Sequence, residues 1–270
     1  MSAGRTNLQL LDLRRIRLTA SRVWLLATGV VGALRLWLAL ARGFAELRFP
    51  TLRSGRIRSF EIGRATQRRR IYLRGNGMDT FTFYEVFIKG VYDRLLPLRE
   101  DDVILDMGAN IGMASSYFEF CCPGVRVIAA EPEQSNASLW RRNLPSPEAT
   151  LLEVAIAARC GDAILSVRQP TSHHLSEEPH EEGPRVRTVT PDELARRAVG
   201  RSVTLIKCDI EGAECEVFTH PWDVLEKVRM VLIEVHGEAL LEPIAKNLRR
   251  HGLLRLEKGH PELPETFARI

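Results

Sequence analysis

The feature that most restricts this 270-residue chain is the run V-I-L-D-M-G-A-N-I-G at residues 103–112. An apolar stretch carries an acidic residue, Asp106, at its end and then turns through Gly108 and Gly112 into a helical segment near Met113. Glycine permits a sharp strand-to-helix turn and lets a ligand approach the backbone with no side chain in the way. Nineteen residues beyond Gly112, after the next apolar run, comes Glu131. An acidic side chain at that place typically hydrogen-bonds ribose hydroxyls.

Around this turn, β and α signals alternate. Short apolar or β-branched runs at Val103–Met107, Arg126–Ala130, Thr150–Val154, Thr204–Cys208 and Met230–Val235 are interleaved with helical stretches such as Met113–Phe120, Gln134–Asn143, Pro191–Val199 and Leu240–His251. The pattern predicts an α/β fold, a Rossmann-like and mostly parallel sheet with helices on both faces. Ligands of such sheets bind at the carboxyl ends of the strands, beside the point where strand order reverses. A second run, L-I-K-C-D-I-E-G-A-E at residues 205–214, ends a strand at Asp209 and turns through Gly212 into another helix. Parallel strands would bring Asp209 and Glu211 to the edge that holds Asp106 and Glu131. One of these carboxylates could hold a cofactor or acceptor group and another could serve as general base. Capping of the following helix by Asp209 and Glu211 is the plain structural alternative.

A dinucleotide site would read G-x-G-x-x-G, whereas here the turn reads G-A-N-I-G with Asp106 two residues before its first glycine. A carboxylate so placed repels a diphosphate. A cationic cofactor suits it better, and S-adenosylmethionine offers a sulfonium, an amino group and a ribose.

The first 74 residues hold 16 Arg, no Lys and three acidic residues, a net +13, although the whole chain carries only +4. Within this basic part, Val23 to Phe44 is the most apolar segment of the chain, with Arg14, Arg15, Arg17 and Arg22 before it and Arg35 inside it. A central arginine makes a membrane span costly, by about 2.5–3.5 kcal/mol. The residues fit an amphipathic helix lying on a membrane surface, and equally one packed on protein. Nucleic acid is not expected as a partner, because the basic segment has few aromatics for stacking bases. The segment 56–74 suggests a β-hairpin, and Thr80 to Leu96 a helix stopped by Pro97. The organisation expected is a helical extension over 1–55, a hairpin and helix over 56–99, and the main domain over 100–270. Gln169–Pro184 is polar and rich in breakers, and reads as a long loop whose His173 and His174 are candidates to face an acceptor. The five cysteines lack paired C-x-x-C spacing, so no metal ligands are assigned, and an odd set favours a cytoplasmic compartment, with membrane association through residues 23–44 left open.

Taken in order, D-T-F-T-F-Y-E-V-F-I-K-G-V-Y, V-I-L-D-M-G-A-N-I-G, A-A-E-P-E-Q-S-N, A-I-A-A-R-C-G-D, R-V-R-T-V-T-P-D-E-L, I-K-C-D-I-E-G-A-E-C-E-V-F and V-L-I-E-V-H resemble the FkbM family of S-adenosylmethionine-dependent methyltransferases over about residues 72–236. The resemblance implies a class I methyltransferase fold and O-methylation of a hydroxyl on a sugar, glycolipid or natural-product scaffold. By matching position it implies cofactor contacts from Asp106, Gly108, Ala109, Asn110, Gly112, Glu131 and Asp209. It also places Asp209, Glu211, Glu234 and His236 near the acceptor without naming the base. Two other readings stay open at this point, a non-catalytic S-adenosylmethionine-binding module that recruits a partner and a nucleic-acid methyltransferase. The acceptor, any metal dependence and the oligomeric state do not follow from the sequence.

Overall fold

A computed structural model describes residues 13–64, 67–95, 97–169, 172–176, 183–258 and 263–269. The chain divides into two compact units, Met1–Lys89 and Gly90–Ile270.

In the first unit, α1 (Leu13–Leu26) and α2 (Val30–Arg48) precede an antiparallel hairpin of β1 (Ile57–Arg64) and β2 (Gln67–Arg74). The apolar stretch is thus two helices and not one, because Gly29 takes a φ of 92° and ends the first at its bend. The helix expected from Thr80 to Leu96 is also broken. It runs as α3 (Met78–Phe83), widens into a π-helical turn at Tyr84–Lys89 and stops where Gly90 adopts a φ of 71°. A short 3₁₀ turn at Asp93–Leu95 follows in the second unit.

The second unit is built on a seven-stranded sheet. Its strands are β3 (Val103–Met107), β4 (Arg126–Ala130), β5 (Ala149–Leu152), then β10 (Leu205–Cys208), β11 (Met230–Ile233), β12 (Leu254–Arg255) and β13 (Glu265–Ala268). Their spatial order is β12-β13-β11-β10-β3-β4-β5. The five strands from β11 to β5 run parallel, and β12 and β13 add an antiparallel edge. Strand order reverses at the β3/β10 junction, where the chain first moves outward through β4 and β5 and later returns on the other side of β3.

Alternation along the strands separates the two faces. Leu105 and Met107 share a core with residues of α6 (Pro191–Ala195), α7 (Glu214–Phe218) and α8 (Glu238–Arg250), among them Leu194, Phe218 and Ile244. Asp106 points the opposite way and meets Ser115 of α4 (Met113–Cys121), which is followed by α5 (Gln134–Asn143). The central strands are buried along their whole length, as a sheet covered on both faces requires.

A second sheet was not foreseen. Four strands, β6 (Ala155–Ile156), β7 (Gly161–Gln169), β8 (Ser172–Ser176) and β9 (Arg185–Val189), pair in the order β6-β9-β7-β8. The long loop expected over Gln169–Pro184 is corrected by this sheet, since residues 172–176 pair antiparallel with β7. Their polar composition hid the strand because cross-strand pairing, not apolar alternation, holds it. The backbones of His173 and His174 lie in β8 opposite Val167 and Ser166. Residues 170–171 and 177–182 of that segment fall outside the described residues.

Candidate active site

The turn after β3 is held from inside the protein. The amides of Gly108 and Ala109 donate to the Ala130 carbonyl at 3.1 and 2.9 Å, and the Asn110 amide donates to Glu131 Oε2 at 2.8 Å. The Ile111 amide donates to the Asn110 side chain, and that of Gly112 to the Ala109 carbonyl. All five amides of the turn are therefore spent within the chain. The glycines also meet a packing demand that the sequence did not reveal. A Cβ at Gly108 would overlap the Asp209 carbonyl oxygen, and one at Gly112 would stand 2.7 Å from the Trp140 ring. Both residues also take a positive φ, 75° and 83°.

Asp106 is fully buried. Its Oδ2 accepts from Ser115 Oγ at 2.5 Å, and that hydroxyl accepts from Trp140 Nε1 at 3.0 Å. Lys207 Nζ stands 3.1 Å from Asp106 Oδ1, off the hydrogen-bonding direction, and donates to the Gly108 carbonyl at 2.7 Å. Burial works against the Lys207 charge, but the anions around it, Asp106 first, outweigh that and hold its pKa above the ordinary value. Lys207 thus ties β10 to the glycine turn. A lone lysine inside an otherwise apolar strand was the available signal for it. Glu131 is buried at the end of β4, and its carboxylate also takes the Glu133 amide at 3.0 Å. Burial raises its pKa.

The adjacent strand ends carry the second cluster. The Asp209 amide continues the ladder to Met107, and the Glu234 amide to Cys208, which sets both residues just past the carboxyl ends of β10 and β11. His236 Nδ1 lies 2.9 Å from Glu214 Oε1, and Nε2 lies 3.4 Å from Glu211 Oε2. Glu214, which the sequence reading passed over, is fully buried, and its carboxylate also receives the amides of Ile210 and Gly212. Asp209 joins the group, since one donor atom each of Asp209, Glu214 and His236 lies within 4.8 Å of the others. The Glu214 hydrogen bond raises the His236 pKa to about 9. Burial raises Asp209 and Glu211, while for Glu214 burial is outweighed by His236 and the Gly212 amide and the pKa is lowered. Glu234 is solvent-exposed at the same edge.

Among the described residues, the two non-glycine positions with positive φ are Asn110 at 49° and Glu211 at 57°, one in each turn. Strained backbone of this kind concentrates at functional sites. Six carboxylates, from Asp106, Glu131, Asp209, Glu211, Glu214 and Glu234, thus gather at neighbouring strand ends with Lys207 and His236 as the basic groups among them. Asp209 Oδ1 is buried and accepts no hydrogen bond. A buried acceptor left open calls for a donor or a cation, and no turn amide remains for a phosphate. The Asp209, Glu214 and His236 set is compact enough to hold a divalent ion. Glu214, however, already has its oxygens engaged by two amides and the imidazole.

The Methyltransferase FkbM domain family matches residues 106–253 of this chain. The chain belongs to the FkbM methyltransferase family. The match begins at Asp106 and spans the acid-rich edge, α7 and β11. The chain is 32% identical to the 2-O-methyltransferase NoeI of Sinorhizobium fredii over 174 residues, covering 56% of this chain and 71% of that protein. It is 26% identical to the hexuronic acid methyltransferase AglP of Haloferax volcanii, with 52% of this chain and 58% of that protein covered. It is also 27% identical to Methyltransferase 1 of Beauveria bassiana, covering 58% and 75%. As an FkbM member the chain is a methyltransferase, and its second unit has the Rossmann-like fold that the sequence predicted.

Proposed function

We propose that this FkbM methyltransferase uses S-adenosylmethionine to methylate a hydroxyl of a saccharide or similar small-molecule acceptor at the carboxyl edge of its large sheet. The observation that carries the reading is the chemistry of that edge, which is rich in carboxylates, has an open buried acceptor at Asp209 and spends all five amides of its glycine turn within the chain. A cofactor with a sulfonium and an ammonium group fits such a carboxylate-rich rim better than a diphosphate does. The acceptor class rests on the named relatives, a 2-O-methyltransferase and a hexuronic acid methyltransferase. The unit from Gly90 onward is assigned as catalytic.

The cofactor supplies an electrophilic methyl group. Glu131 and Asp209 are the residues assigned to hold it, with Asp106 and Lys207 fixing the turn between them. Methyl transfer to oxygen needs an in-line approach and removal of the hydroxyl proton, so positioning and a base are what the protein contributes. His236 is assigned as that base. Glu214 holds Nδ1 and fixes the tautomer, which leaves Nε2 as the atom that takes the proton. Asp209, beside it, stabilises the imidazolium that results.

Incubation with S-adenosylmethionine labelled in its methyl group, against a panel of free and glycosidic sugars, tests this. Labelled methyl ether in at least one sugar, lost in His236→Ala, is the expected result. Transfer to sugar that His236→Ala leaves untouched would remove the base assignment, and label found only on nucleic acid or protein would remove the acceptor class.

A further inference from the structure

A different surface of the chain is unexplained by methyl transfer. Of the thirteen large apolar side chains that stand exposed among the described residues, eleven lie between Trp24 and Ile57. They do not substitute for a core, because α2 already buries Leu36 and Leu40 on its inner face. On the outer face Val30, Val31, Leu34, Trp37 and Leu38 follow helical spacing, with Leu34 and Leu38 each 60% exposed. The helix is therefore apolar on two opposite sides, which an ordinary surface helix is not. A contiguous exposed patch of this kind marks an interaction surface.

We infer that this outer face of α1 and α2 rests on an anionic lipid surface. Charge decides among the occupants. Arg35 and Arg42, seven residues apart, border the stripe on one side, and Arg48 closes its end; all three are exposed. Between residues 13 and 60 the single acidic residue is Glu46, and the next, Glu61, is ion-paired with Arg70 at 2.8 Å. Glu46 is buried and ion-paired with Arg58 at 2.5 Å and, more loosely, with Arg42 at 3.4 Å, so it offers nothing outward. A second copy of the chain would set arginine against arginine across the contact. Anionic headgroups supply the missing charge, and long arginine side chains reach them while the aliphatic face enters the acyl boundary. Trp24 and Trp37, both exposed, suit the headgroup level, where one ring edge stays wet. No described helix is long and apolar enough to cross a membrane, so the helices lie along the surface.

The test is sedimentation of the full chain with sucrose-loaded vesicles of phosphatidylcholine alone and of phosphatidylcholine mixed with phosphatidylglycerol. Binding to the mixed vesicles that weakens with salt is expected. Leu34→Ser with Leu38→Ser should reduce it by at least about tenfold, and Arg35→Gln with Arg42→Gln by about fivefold for each arginine and flatten the salt dependence. Thermal melting checks that each variant remains folded. Equal failure to bind both vesicle types would overturn the inference, as would binding that the leucine and arginine variants leave unchanged. Concentration-dependent dimerisation in sedimentation velocity, abolished by the leucine pair in the absence of lipid, would assign the face to a second copy instead.

Discussion

Asp102 and Asp209, at the two ends of the central strands, are treated in opposite ways. At the amino edge, Asp102 precedes β3 and is buried with its acceptors engaged. Thr204 Oγ1 donates to it at 2.8 Å, the Arg99 amide at 2.8 Å and Arg229 Nη2 at 2.6 Å. Thr204 and Arg229 stand just before β10 and β11, so this one carboxylate clasps three neighbouring strands. At the carboxyl edge of the same strands, Asp209 keeps an unmatched oxygen, Glu211 takes a positive φ, and like charges crowd. A satisfied carboxylate stabilises a fold, whereas a crowded and open one stores electrostatic energy that a bound cation can release. On the proposed function, the amino edge serves the fold and the carboxyl edge the chemistry.

The largest effects should come from breaking the carboxyl edge. His236→Ala is expected to lower turnover by about 10²- to 10⁴-fold, which initial rates at saturating donor check, with little change in melting temperature above about pH 9, where the Glu214 pairing no longer contributes. Glu214→Gln, which keeps the shape but weakens the hold on Nδ1, should fall between that variant and the wild type. If both variants melt far below the wild type, the cluster belongs with Asp102 as a structural clasp.

The pH profile sharpens the same point. A base with a pKa raised to about 9 is mostly protonated at neutral pH, so kcat/KM should climb by about tenfold per pH unit below that value and level off above it. Stability should move the other way. The folded His236 pKa exceeds its unfolded value, so the Glu214 pairing stabilises fully below about 6.5 and is lost as pH rises through about 9. Rate and melting curves recorded over that window would contradict the account if they rose together.

At the amino edge, Asp102→Ala should cost about 2 kcal/mol of stability, since its Arg229 partner is partly solvated, and leave the rate per folded molecule unchanged. Denaturant titration together with an activity assay separates the two. The smallest effect is expected from metal removal. Exhaustive chelation should leave turnover within about twofold, because Glu214 is already engaged by protein donors; loss of activity restored by added divalent ion would turn the proton-sharing cluster into a metal site.

Much of this edge was legible in advance. β3 and β4 occupy Val103–Met107 and Arg126–Ala130 as the apolar runs implied, because strands buried on both faces need continuous apolar sequence. The strand ends then fixed which acidic residues would meet. What stayed hidden depends on long-range pairing. Glu214 looks like an ordinary acidic residue in a first helical turn until β11 brings His236 to it across 22 positions. The purpose of Gly108 cannot be read from its own turn, since the atom it must avoid belongs to Asp209, a hundred positions on. β8, polar and flanked by breakers, gives no apolar period, and β13 joins the large sheet antiparallel through four residues near the C-terminus.

The most direct test of the central claim is calorimetric titration of S-adenosylmethionine and S-adenosylhomocysteine into the wild type, Glu131→Ala, Asp209→Asn and Asp102→Asn. The account predicts binding that both carboxyl-edge substitutions weaken by at least about tenfold, a loss of one to two charged hydrogen bonds, while Asp102→Asn binds like the wild type. Equal affinities across all four folded proteins would contradict the assignment of the cofactor to the acid-rich edge.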